Sequence, residues 1–115
     1  MMKVWLDDEF EARKDGFVGW THTRWPQETI EILKQGNVEV LSLDHDLGED
    51  FGYTNPRTGY DVLKWIEEQV YLHAFVPPRI HLHTRNSSAR DKMKLAVRQI
   101  MLQHQKNLSQ IAESA

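Results

Sequence analysis

Cysteine is absent from all 115 residues, which removes disulfide scaffolds, thiol nucleophiles and cysteine-ligated zinc or iron–sulfur sites at once. Long apolar runs are also missing. Nothing approaches the roughly 20 residues of a membrane span, and no signal-peptide h-region opens the sequence, so a cytoplasmic domain without a membrane partner is expected. Basic residues number 14 against 17 acidic ones, a formal net charge of −3, which argues against a protein built to coat nucleic acid. There is no G-x-x-x-x-G-K-[ST] loop, no G-x-G-x-x-G fingerprint and no G-x-S-x-G elbow. Nucleoside-triphosphate enzymes, dinucleotide dehydrogenases and serine hydrolases therefore have no anchor. Internal repeats and low-complexity tracts are lacking too.

What remains is an ordinary globular balance, 40% hydrophobic and 27% charged, at a length that suits one domain. Four Trp, four Phe and three Tyr favour a well-filled core. Six histidines are the first hint of chemistry.

Short apolar runs alternate with helical patterns. Lys3 to Leu6 reads as a buried strand that stops at Asp7-Asp8-Glu9. Residues 10–16 read as a loop or one irregular helical turn, and Phe17 to Trp25 as a second strand rich in β-formers. Pro26 opens a helix with Ile30 and Leu33 on one face and Gly36 as terminator. Val38 to Leu43 is a third strand, ending in Asp44-His45-Asp46, and Gly48 to Gly59 reads as a loop. Thr58 and Asp61 have capping-box spacing before a helix carrying Val62, Leu63, Ile66 and Val70. Pro77-Pro78 precedes a fourth strand, Arg79 to Thr84. Ser88 and Asp91 repeat the capping spacing before a last helix with Met93, Ala96, Val97, Ile100 and Met101. Residues 103–115 are mostly polar and read as a helical extension or tail beyond a domain of residues 1–102.

This alternation predicts an α/β fold with a parallel sheet of about four strands covered on both faces, a three-layer arrangement. Right-handed crossovers bring every strand's C-terminal end to one edge, where open α/β sheets bind ligands. Asp7, Asp8, Asp44, His45, Asp46, His83 and Thr84 all converge there, although the three segments are far apart in sequence. Crowded carboxylates repel one another unless a cation or proton intervenes. Their hard oxygens suit Mg²⁺ or Mn²⁺, so Asp7, Asp8, Asp44 and Asp46 are the candidate metal ligands.

His45, between two acids, and His83, at a strand exit, are candidate acid/base groups. His81 shares a strand side with His83, whereas His22, His73 and His104 have no evident partner in the sequence. The helix starts near Thr58 and Ser87-Ser88 offer free N–H groups to phosphate. Arg57, Arg85, Thr84, Asn86 and Ser87 flank them as further phosphate contacts. Trp20, Trp25 and Tyr53 are aromatics that a contact surface could use.

The segments VWLDDE (4–9), RWPQETIEIL (24–33), LSLDHDLG (41–48), TGYDVLKWIEE (58–68) and PPRIHLHT (77–84) together resemble the cyclic-phosphate processing receiver domain. This is a divergent relative of the response-regulator receiver, and the resemblance runs to about residue 102. It implies a receiver-like, flavodoxin-like fold, here without the last strand and helix. It also implies an acidic pair and a phosphoacceptor-position aspartate, Asp44, around a divalent ion, with Thr84 contacting the phosphoryl group. The implied activity is a phosphoesterase acting on cyclic phosphates, such as a cyclic nucleotide or a 2′,3′-cyclic RNA end, in RNA repair or phage–host conflict. Two departures stand out. Asn86-Ser87-Ser88-Ala89 replaces an expected Asn-Pro-x-Gly turn, and the fifth-strand lysine of signalling receivers has no counterpart. An aspartyl-phosphate switch at Asp44 and a non-catalytic module binding a phosphorylated ligand or a protein are the competing readings. The sequence fixes no oligomeric state.

Overall fold

The computed structural model describes residues 1–47 and 58–114. Among them, four parallel strands make one sheet in the order β2-β1-β3-β4. The strands are β1 (Met2–Leu6), β2 (Thr21–Thr23), β3 (Val38–Leu43) and β4 (Arg79–Leu82). The α-helices are α1 (Phe10–Arg13), α2 (Pro26–Leu33), α3 (Gly59–His73) and α4 (Ser87–Ser114). This is the order of the first four strands of a flavodoxin-like sheet, so the receiver-like α/β expectation holds.

Period-two alternation sends Val4, Leu6, Leu41 and Leu43 to one face of the sheet. There they meet Leu33 of α2, the α3 row Val62, Leu63, Ile66 and Val70, and Met93, Ala96 and Ile100 of α4. Burying each large apolar side chain contributes roughly 1.5–3 kcal/mol, so this cluster dominates the stability. Trp5 points to the opposite face and is 1% exposed. Phe17 stacks on it with ring centroids 4.4 Å apart, and Phe10 lies 5.9 Å away. The third layer is thus a short segment, α1 followed by a 3₁₀ turn over Lys14–Phe17, rather than a full helix.

That aromatic stack explains the main departure from the sequence reading. Phe17 to Trp25 does not form one strand; only Thr21–Thr23 pairs with β1. Phe17 is drawn onto Trp5, and Trp20 meets Phe17 edge-on through a turn whose Gly19 sits at φ 84°, a conformation that favours glycine. At α4 the cap also differs. Asn86, not Ser88, holds the helix start, its Oδ1 accepting the Ala89 N–H at 3.0 Å. Asp91 therefore falls two residues beyond Ala89, the position that could reciprocate. The Thr58–Asp61 cap forms as expected, with the Thr58 N–H donating to Asp61 Oδ2 at 2.9 Å. Strand β4 ends at Leu82, leaving His83 and Thr84 just beyond it.

Helix α4 continues unbroken past residue 102 to Ser114, and Asn107 ties it to α3 by donating to the Val70 carbonyl at 2.9 Å. No helix among the described residues is long and apolar enough to cross a membrane.

Candidate metal and phosphate site

Three strand ends meet through backbone hydrogen bonds before any side chain acts. The Asp44 N–H donates to the Leu6 carbonyl at 3.0 Å, and the His83 N–H donates to the Leu43 carbonyl at 3.0 Å. These bonds carry the sheet ladder one residue past its strands and place Asp7, Asp44 and His83 side by side. One ligand atom from each lies within 4.8 Å of the others.

Asp7 is fully buried. Its Oδ2 lies 2.9 Å from His83 Nε2 and accepts from Arg13 Nε at 3.1 Å, and its Oδ1 accepts the Glu9 N–H at 2.8 Å. On the far side of the imidazole, His83 Nδ1 lies 2.7 Å from the buried Ser42 hydroxyl. A hydroxyl can donate or accept, so Ser42 serves either tautomer of His83. Burial holds the His83 pKa below its ordinary value although the Asp7 carboxylate opposes this, so the ring is neutral near pH 7.

Asp44 is 6% exposed. Burial, then the neighbouring Asp7 charge, push its pKa up to about 6, against the opposing His45 N–H at 2.8 Å and the Arg13 charge. Two carboxylates and a neutral imidazole that converge with one acid so reluctant to ionise form a donor set suited to a divalent cation. Carboxylates favour Mg²⁺ or Mn²⁺, whereas an imidazole also suits softer transition metals.

The other two candidate ligands stand apart. Asp8 is partly buried, which raises its pKa, and its carbonyl accepts from Arg24 Nη1 at 3.1 Å, but its carboxylate is not in the cluster. Asp46 is exposed and turns to His45, with Oδ1 2.9 Å from Nδ1. That contact orients the His45 ring and leaves Nε2 without a partner among the described residues.

Of the phosphate candidates, Thr58 caps α3 at the same edge. Asn86 caps α4 and reaches Asp46 through Nδ2 at 3.5 Å, and Ser87 is the first residue of that helix. Thr84 is fully buried; its Oγ1 accepts the Asn86 N–H at 3.2 Å, which shapes the turn into α4. Arg85 is exposed beside it. Arg57 and Tyr53, with residues 48–57 of the expected loop, lie outside the described residues.

Four residues that the sequence reading passed over complete the site. Arg13 supplies the positive charge beside Asp7, Ser42 orients His83, and His22 Nε2 lies 2.7 Å from the Asp7 carbonyl. Gly59 is the fourth: its N–H donates to the His45 carbonyl at 3.1 Å, and a Cβ built there would lie 1.8 Å from the Asp44 carbonyl oxygen. Only Ser42 carried a usable signal, since a polar residue inside an apolar strand asks for a buried partner.

Residues 2–99 match the model of one family, described as the cyclic-phosphate processing receiver domain. No curated protein and no solved structure gives a match.

Proposed function

The chain belongs to the cyclic-phosphate processing receiver domain family, and from that premise we propose that it is a metal-dependent phosphoesterase opening cyclic phosphodiesters, nucleotide 2′,3′-cyclic ends among them. The observation that carries this reading is the convergence of Asp7, Asp44 and His83 ligand atoms within 4.8 Å at the C-terminal edge of the sheet. Asp7 Oδ2, an Asp44 carboxylate oxygen and His83 Nε2 would hold the divalent ion. When bound, such an ion supplies Lewis-acid polarisation of a phosphoryl oxygen.

The chain's own residues divide the remaining work. In the tautomer whose Nδ1–H donates to the Ser42 hydroxyl, the Nε2 lone pair of His83 would be free as a ligand. Both nitrogens of His83 are thereby committed, so proton transfer falls to His45 Nε2, with Asp46 on Nδ1 fixing the ring. In the hydrolysis, water forms one P–O bond and one ring P–O bond breaks. His45 takes the water proton and returns it to the departing hydroxyl. The starts of α3 and α4 direct their helix dipoles toward phosphate oxygens, and Ser87 and Ser88 offer main-chain N–H groups there. Arg85 adds an exposed cation at the same edge.

Incubation with a 2′,3′-cyclic nucleotide and Mn²⁺ tests the proposal, ring-opened monophosphate being the expected product. A phosphoacceptor role for Asp44 finds less support. Among the described residues no lysine pairs with Asp44.

A further inference from the structure

Among the described residues, strand β4 is an outer strand, bonded to β3 on one side only. Its direction of pairing can be read from one bond. The His83 N–H donates to the Leu43 carbonyl, so odd-numbered residues here turn their backbone groups toward β3 and Ile80, Leu82 and Thr84 turn theirs outward. Arg90 Nη2 already occupies the outward carbonyl of Thr84. Among the described residues, the N–H and C=O groups of Ile80 and Leu82 have no partner and remain as the open ladder.

A cleft of about 370 Å³ lies along that ladder, lined by Ile80, His81 and Leu82 of β4 and by Arg90, Lys94 and Val97 of α4. Its lining combines three apolar side chains with three basic ones and contains no acid. Arg90 Nε is buried there with no acceptor among the described residues, a cost that is relieved when an anion or carbonyl approaches. Neither Arg90 nor Lys94 has a carboxylate partner among the described residues. Helix α4 thus overhangs the sheet edge and offers a charged and apolar flank to whatever lies beside β4.

We propose that this cleft receives an extended acidic segment of a partner protein, which adds to the sheet as a fifth strand beside β4. Main-chain bonds to Ile80 and Leu82 would supply affinity, and acidic side chains on the α4 side would meet Arg90 and Lys94. Val97 offers an apolar contact lower on the same flank. A second copy of the chain is the wrong occupant, because pairing β4 with itself would bring two sets of Arg79, His81, Arg90 and Lys94 together with no opposing charge.

Amide hydrogen exchange on the intact protein tests this, with a short acetylated peptide alternating valine and glutamate as the probe. The two-residue period puts every glutamate on one face of the added strand. Exchange at Ile80 and Leu82 should slow at least tenfold at saturation, while His81 and His83, already turned to β3, stay unchanged. Lys94→Glu, at an exposed position, should weaken peptide binding on the order of tenfold and leave the rest of the amide spectrum in place. The proposal is overturned if the peptide slows neither amide or if a lysine-for-glutamate peptide binds equally well. It is also overturned if the two amides slow with protein concentration alone, which is self-pairing, or if a short single-stranded oligonucleotide binds the cleft and displaces the peptide.

Discussion

Gly59 and the carbonyl of Asp44 are so close that a Cβ at position 59 would sit 1.8 Å from the oxygen. The start of α3 is therefore seated directly on the segment that carries Asp44 and His45, and the absence of a side chain is what permits it. Gly59→Ala should cost about 1–3 kcal/mol or prevent folding, because the obstacle is backbone rather than a flexible side-chain tip. Gly16→Ala is the matched control: nothing lies within 4 Å of its Cβ position, so it should be near neutral. Chemical denaturation of the two variants checks both.

Asp44 gives the stability a defined pH dependence. Its pKa rises from 3.8 to about 6 on folding. The folded chain thus binds a proton that the unfolded chain releases, and this contribution favours folding at low pH and fades as pH climbs through about 4 to 6. Asp44→Asn should remove that slope and gain on the order of 1–3 kcal/mol over wild type at pH 7 without metal, the gain shrinking toward pH 4. His83, with its lowered pKa, acts in the opposite sense below its ordinary 6.5. Comparing the variant with wild type at each pH cancels it. Parallel stability curves in chelator would refute the assignment.

Arg13 neutralises Asp7 from 3.1 Å and so competes with any cation for the same oxygen. Removing its charge in Arg13→Gln should tighten Mn²⁺ binding about three- to tenfold in a calorimetric titration, while lowering stability in metal-free buffer. Weaker binding would mean that Arg13 organises the ligands more than it opposes the ion.

Ser42→Ala tests the support behind His83. Loss of the 2.7 Å contact at Nδ1 should weaken Mn²⁺ binding about 10–100-fold. Stability should fall by only about 1–2 kcal/mol, since one buried nitrogen loses its partner and little volume changes. Unchanged metal affinity would place His83 outside the ligand set.

Much of this arrangement was legible in the residues. Apolar runs that end in acids located β1 and β3 and sent Asp7 and Asp44 to a common edge, and the Thr58–Asp61 spacing located the start of α3. What was not legible depends on contacts distant in sequence. The β-prone stretch after Phe17 became a turn because Trp5 offered a stacking surface, and tertiary contact of that kind overrides local propensity. Four aspartates looked equivalent as ligands, yet Asp46 is turned outward to His45 while His83, 76 positions away from Asp7, takes a place in the cluster. Arg13, in a segment with weak patterning, gave no sign that it would meet Asp7. Gly59 read as a loop residue because close backbone approach leaves no trace in composition.

The central claim is that Asp7, Asp44 and His83 hold a divalent ion for opening a cyclic phosphodiester. Phosphorus NMR of a 2′,3′-cyclic nucleotide incubated with the protein and Mn²⁺ tests it most directly, run beside Asp44→Asn. The account predicts conversion of the cyclic resonance to a monophosphate, abolished by chelator and reduced at least about 100-fold in the variant. Persistence of the cyclic resonance with folded, Mn²⁺-bound wild type, or equal conversion by Asp44→Asn, would contradict it.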